Sequence, residues 1–141
     1  MSSDKAPDLL SLLRTALDQE ASDLHLVRGT PPSLRVDGRI KRLPGDPLSA
    51  PDIEALVAPI LSERLSRRLE RYREVDFSFE EPNLVRFRTS LFYERGALAA
   101  ALRVVPWMVR SVDELGLPRV VGDLVRRNYG LVLVTGAVGM G

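Results

Sequence analysis

The spacing of hydrophobic and polar residues changes along the chain, and the changes mark its elements. Between residues 8 and 20, Leu9, Leu12, Leu13, Ala16 and Leu17 recur at helical spacing with Asp8, Arg14 and Asp18 among them, which predicts an amphipathic helix. From Ser22 the period falls to two. Leu24 and Leu26, then Leu34 and Val36, alternate with polar residues on either side of Gly29-Thr30-Pro31-Pro32, predicting two strands around a turn. Asp37-Gly38 is a strong tight-turn signal and sends Arg39–Leu43 back as a third short strand.

The stretch from Leu43 to Ala50 contains Pro44, Gly45 and Pro47 and reads as a loop. Ser49 then offers an N-cap, Pro51 a first-turn proline and Asp52 an acid at the third position, so a helix is expected from there to about Leu61. Pro59 argues for a kink or break, after which Ser62–Arg73 resumes with Leu65, Leu69 and Tyr72 on one side. This segment holds five arginines against Glu63 and Glu70, a pattern open to two readings: a basic docking face or a solvated helix surface.

Val75, Phe77 and Phe79 alternate with Asp76, Ser78 and Glu80; Pro82-Asn83 turns; Leu84–Tyr93 and Ala97–Val105 are longer strands joined near Arg95-Gly96. Together they predict a three-stranded antiparallel meander. Ser111 and Glu114 form a capping-box pattern, Pro118–Asn128 is a second helical piece, and Gly130–Thr135 reads as a compact apolar strand. The expected fold class is therefore α+β. No internal repeat or low-complexity tract interrupts it.

Composition changes this picture little. The 141 residues are 45% hydrophobic and 28% charged, an ordinary globular balance, and the absence of cysteine removes thiol chemistry and Cys-based zinc sites. Charge is near balance, 20 Lys+Arg against 19 Asp+Glu, so no overall field favours nucleic acid or an anionic membrane, and no nucleic-acid partner is expected. Only Lys5 and Lys41 are lysines; the other basic residues are arginines, which suit fork-like binding of phosphate or carboxylate. The longest apolar runs, Ala97–Leu102 and Leu131–Val134, fall far short of the ~18 residues of a membrane helix. Met1–Lys5 has no signal-peptide core, so the expected location is cytoplasmic, at most peripheral to a membrane.

Two groups of residues carry candidate chemistry. After the apolar run come Gly136, Ala137, Val138, Gly139, Met140 and Gly141; Gly136 and Gly141 match the first six positions of the phosphate-loop pattern, whose glycines let backbone N–H groups face phosphates. The pattern's Lys and Ser/Thr are absent, so a plain glycine-rich turn stays open. The second group is Arg86, Arg88 and Arg103. Residues two apart on a strand share a face about 6.8 Å apart, which puts Arg86 and Arg88 together. A two-residue loop at Arg95-Gly96 would set Arg88 opposite Arg103. Like charges so opposed need an anion between them, either a phosphate or Glu80 or Asp76 from the neighbouring strand. His25 is the only histidine and reads as a strand residue hydrogen-bonding or packing locally. No metal site is expected.

Several motifs, in this order, resemble the PilT-like ATPases of type IV pili: Ala21-Ser-Asp-Leu-His-Leu26, Pro31-Pro32, Arg35-Val-Asp-Gly38, Asp76-Phe-Ser-Phe79, Arg86-Phe-Arg88, Leu102-Arg-Val-Val-Pro106, Leu115-Gly-Leu-Pro118 and Gly130-Leu-Val-Leu-Val-Thr-Gly136. The resemblance covers most of residues 8–141. It implies a PAS-like N-terminal domain over 1–125, with antiparallel sheet and flanking helices. Residues 126–141 would then be a linker, the first strand and a partial Walker A loop of a truncated RecA-like P-loop ATPase domain. Where the family usually reads Gly-Pro-Thr-Gly-Ser-Gly-Lys, this chain has Ala137, Val138 and Met140 in place of Pro, Thr and Ser.

The resemblance further implies an ATP-hydrolysing homo-hexameric motor of pilus retraction, using ATP and Mg²⁺ and working at a pilus inner-membrane platform protein. Arg86, Arg88 and Arg103 would approach the nucleotide phosphates. The 141-residue chain alone would be inactive and bind no nucleotide tightly. Only residues 1–20 precede the Ala21–Leu26 stretch, which favours the retraction type over pilus extension or type II secretion ATPases and does not separate it from the accessory retraction paralogue. A stand-alone PAS-like ligand-binding or scaffold module is the alternative of a different class.

Overall fold

The computed structural model describes residues 8–81, 85–106 and 111–136, and divides into two compact units, Met1–Trp107 and Met108–Gly141. The first unit holds α1 (Leu9–Asp18), β1 (Asp23–Leu26), β2 (Ser33–Val36), β3 (Arg39–Arg42), α2 (Ala50–Val57), α3 (Glu63–Tyr72), β4 (Glu74–Glu80), β5 (Arg86–Glu94) and β6 (Ala97–Val105). Its strands form one antiparallel sheet in the order β3-β2-β1-β6-β5-β4, so the class is α+β as expected. The β4-β5-β6 meander and the β1-β2-β3 hairpins follow the sequence pattern. The pairing of β1 with β6, which joins them into one sheet, has no local sequence signal.

The local chemistry explains the element ends. The N–H of Ser11 donates to the Asp8 carboxylate at 2.8 Å, capping α1. Ser49 and Asp52 cap α2 reciprocally, with Pro51 in the first turn where its missing N–H costs nothing. Pro59 lies in a single 3₁₀ turn, Ala58–Ile60, that separates α2 from α3. Both two-residue hairpin loops take positive φ at each position, +48° and +75° at Asp37-Gly38 and +49° and +79° at Arg95-Gly96. This is the twist that suits right-handed strands, and glycine accepts it without a Cβ clash.

The two faces of the sheet differ in kind. Leu24, Leu26, Leu34, Phe87, Leu91, Leu98 and Leu102 lie on one face and join Leu12, Leu13, Ile53, Val57 and Leu69 from the helices in a single core. Here α1 packs on β1, α2 on β6 and α3 on β4. Phe87 is fully buried and stacks on Phe79 with ring centres 5.4 Å apart. Strand alternation sends Asp23, Arg35, Arg86, Arg88 and Arg103 to the other face.

In the second unit, Ser111 and Glu114 make the expected reciprocal cap, the Ser111 N–H donating to the carboxylate at 2.7 Å, and α4 spans Arg119–Val125. The strand expected over Gly130–Thr135 is not formed: residues 130–136 have no ladder, and Leu131, Leu133 and Val134 are 82%, 76% and 94% exposed. A strand exists only through hydrogen bonds to a neighbour, and among the described residues this apolar run has none. No helix of the described residues is long and apolar enough to cross a membrane.

Candidate anion site on the polar sheet face

The register puts four charged residues in one cross-strand row. Arg35 lies opposite Asp23, Asp23 opposite Arg103, and Arg103 opposite Arg88, with Ser78 of β4 beyond. Opposed residues share a face with Cβ atoms about 5 Å apart, so the one carboxylate of the row lies beside two guanidinium groups, Arg35 and Arg103, and the third, Arg88, lies beside Arg103. The expected opposition of Arg88 and Arg103 is present, set by the two-residue loop at Arg95-Gly96.

Asp23 organises the row. Its side chain is 7% exposed; it accepts from Arg103 Nε at 2.9 Å and from the Ser22 hydroxyl at 2.7 Å, and lies 3.5 Å from Arg35 Nε. Burial alone would raise the Asp23 pKa; the hydrogen bonds from Ser22 and Arg103 and the charge of Arg103 outweigh it and hold the carboxyl below its ordinary value. Arg35 also donates from Nη1 to the Gly38 carbonyl at 3.2 Å, which ties the row to the β2–β3 turn.

The three arginines singled out by sequence have different surroundings. Arg86 donates from Nε to Glu80 at 2.9 Å across the β4–β5 pair, so one of the two carboxylates expected there is its partner. Asp76 lies opposite Ser90 instead. Arg103 is held by Asp23 through Nε, and its terminal nitrogens make no hydrogen bond among the described residues. Arg88 is exposed and has no hydrogen bond or ion pair among the described residues. A half-compensated pair, one guanidinium oriented and its neighbour unpaired, can receive an oxyanion by fork-like contacts.

His25 sits on the same face, opposite Ser33 and Ala101. Its Nε2 is buried without a hydrogen-bond partner, so of the two expected roles, local hydrogen bonding or local packing, the first is not fulfilled at that atom. Burial pushes its pKa down, opposed by Asp23 and reinforced by Arg35 and Arg103. Of the phosphate-loop positions, Gly136 is exposed and outside any regular element; Ala137, Val138, Gly139, Met140 and Gly141 lie outside the described residues. No group of three or more His, Asp or Glu suited to a metal ion occurs among the described residues.

Sequence reasoning missed Asp23 and Arg35. The alternation through Ser22–Leu26 does place Asp23 on the face away from Leu24, which marks it as a polar-face residue. Its arginine partner, eighty residues on, is fixed only by the β1–β6 pairing.

No protein-family model matches the chain. It is 40% identical over 137 residues to the type IV pilus retraction ATPase PilT of Pseudomonas aeruginosa, an alignment covering 95% of this chain and 39% of that protein. A twitching motility protein of Neisseria gonorrhoeae is 35% identical over 136 residues, 96% of this chain and 36% of the relative. A crystal structure of the pilus retraction motor PilT with bound ADP matches with a TM-score of 0.79 and 41% identity, over 94% of this chain and 39% of its own. The chain spans about two fifths of the length of the curated relatives it matches. Over that span it is homologous to the PilT-like type IV pilus ATPases, and its six-stranded antiparallel sheet with flanking helices matches their N-terminal domain.

Proposed function

We propose that this chain is the N-terminal part of an ATP-hydrolysing pilus-retraction motor. In that motor it makes inter-domain contacts and presents Arg88 and Arg103 to nucleotide phosphates of its own or a neighbouring subunit in a homo-hexamer. The observation that carries the site assignment is the opposition of Arg88 and Arg103 with Asp23 as the only carboxylate in their row. Two adjacent arginines, with one carboxylate on the far side of Arg103 that is shared with Arg35, retain positive charge that a phosphate would neutralise. Arg86, compensated by Glu80, is the weaker phosphate candidate. Gly136, Ala137, Val138, Gly139, Met140 and Gly141 stay assigned to the phosphate loop on the spacing of their glycines.

The division at residues 125/126, a PAS-like first domain and a RecA-like second one, belongs to the same proposal. So do the inner-membrane location and the platform partner. ATP is the nucleotide, and no role in holding Mg²⁺ is assigned to the described residues.

The test uses the reading frame extended beyond Gly141 and an ATPase assay. Arg88→Ala and Arg103→Ala should each lower turnover at least tenfold, about 1.4 kcal/mol in barrier, if they contact phosphate in the transition state. Unchanged turnover with altered thermal stability would leave Arg103 a structural partner of Asp23. Calorimetry on the 141-residue chain should detect no ATP binding; micromolar affinity would overturn the view that the loop needs residues beyond this chain.

A further inference from the structure

The arginines of α3 belong to neither the core nor the polar sheet face. On a helix of 3.6 residues per turn, Arg64, Arg67, Arg68 and Arg71 fall in one stripe about 100° wide, while Glu63 and Glu70 lie to one side of it and Leu65 and Leu69 to the other. Arg67 is paired with Glu63 at 3.1 Å; Arg64 and Arg68 have no partner among the described residues. The Arg71 guanidinium lies 5.2 Å from the centre of the Tyr72 ring, which is itself 57% exposed. The helix beneath is firmly seated: Leu69 is buried, and Arg73 packs its guanidinium on the Tyr93 ring at 3.4 Å.

The stripe forms one wall of an open groove of about 620 Å³ whose other side is the start of β4, with Glu74, Val75 and Asp76. We infer that this groove is a docking site for an acidic helical segment of a partner protein, one carrying carboxylates three and four residues apart. Arg64, Arg68 and Arg71 rise along α3 by about 6 Å and then about 4.5 Å, the repeat such a helix presents alongside. Each guanidinium can take one carboxylate by two N–H donors, and the exposed ring of Tyr72 offers apolar contact at the groove edge. Glu74 and Asp76 confine the positive wall to α3, and the chain as a whole carries only +1, unlike a nucleic-acid binder. A concave groove with a single exposed aromatic also fits a peptide better than a flat anionic bilayer.

The test uses the 141-residue chain and a fluorescein-labelled synthetic helical peptide with glutamates at i, i+4 and i+7, read by anisotropy. A scrambled peptide of the same composition, duplex DNA and phosphatidylglycerol vesicles are compared at equal ionic strength. The helical peptide should bind at least tenfold more tightly than the scrambled one, and Arg64→Glu/Arg68→Glu should weaken it at least tenfold with an unchanged circular dichroism spectrum. If the double reversal unfolds the chain, Arg64→Gln/Arg68→Gln should still give at least a threefold loss. Arg14→Glu on α1 should leave binding unchanged. Equal binding of both peptides, tighter binding of DNA or vesicles, or no loss in either double variant would overturn the inference. So would self-association abolished by the same substitutions, because the occupant would then be a second copy of this chain.

Discussion

The two faces of the sheet are built from the same strands, yet they are determined differently. On the core face the strands present mainly apolar side chains, Leu24 and Leu26 of β1, Leu34 of β2, Phe87 and Leu91 of β5, Leu98 and Leu102 of β6, and a neighbour of suitable size completes the contact. On the polar face the meaning of a residue depends on what lies opposite. Arg86 faces a carboxylate and Arg88 faces another arginine, although they are two positions apart on β5. Stability resides mainly on the first face and charge chemistry on the second.

If that separation is right, the largest effect of a single change should come from the core. Phe87→Ala removes a fully buried ring stacked on Phe79 and should cost about 3–5 kcal/mol, measured by urea unfolding. A loss under about 1 kcal/mol would mean that the core relaxes around the gap, and that the helix-covered face does not dominate stability.

The core face was also the face legible in the sequence. Leu24, Leu26, Leu34 and Val36 announce it by alternation, and Asp37-Gly38 and Arg95-Gly96 fix two registers because a two-residue loop allows no slip. That second loop is why the opposition of Arg88 and Arg103 could be read from sequence at all. The closure of β1 on β6 could not, since no turn or spacing encodes a contact between residues 23 and 103, and with it went Asp23. The converse error is Leu131–Val134. An apolar run predicts a strand only where a neighbouring strand is there to pair, and here the described residues offer none.

A middle-sized effect should come from Asp23, the residue that links the faces by being buried among charges. Asp23→Asn keeps the shape and removes the charge; Arg103 and Arg35 then lose their anion but, being 67% and 40% exposed, remain hydrated. The expected cost is about 1–2 kcal/mol at neutral pH. Because the folded-state pKa of Asp23 is depressed, its contribution is complete above the usual value of 3.8 and disappears as pH falls through the lower folded value. The gap between wild type and variant should therefore close only in strong acid. His25, also depressed, acts earlier: its contribution is complete above 6.5 and declines as pH falls below that. A His25→Asn variant should lack this earlier decline. A gap for Asp23→Asn that closed between pH 6.5 and 5 would assign the linkage to the histidine instead.

The smallest effect, and the sharpest on the comparison, is expected at Arg88. Its side chain is exposed, bonded to no described residue and opposed to Arg103, so Arg88→Ala should change stability by no more than about 0.5 kcal/mol, in the stabilising direction. Raising the ionic strength screens the repulsion in the wild type and should shrink even that difference, a behaviour readable from paired urea titrations at low and high salt. Arg86→Ala, by contrast, removes the partner of Glu80 and should destabilise slightly under the same conditions. Opposite signs for two arginines on one strand and one face would show that the polar face is governed by cross-strand partners. A loss above about 1 kcal/mol for Arg88→Ala would place Arg88 among the structural residues and remove the unpaired charge on which the phosphate assignment rests.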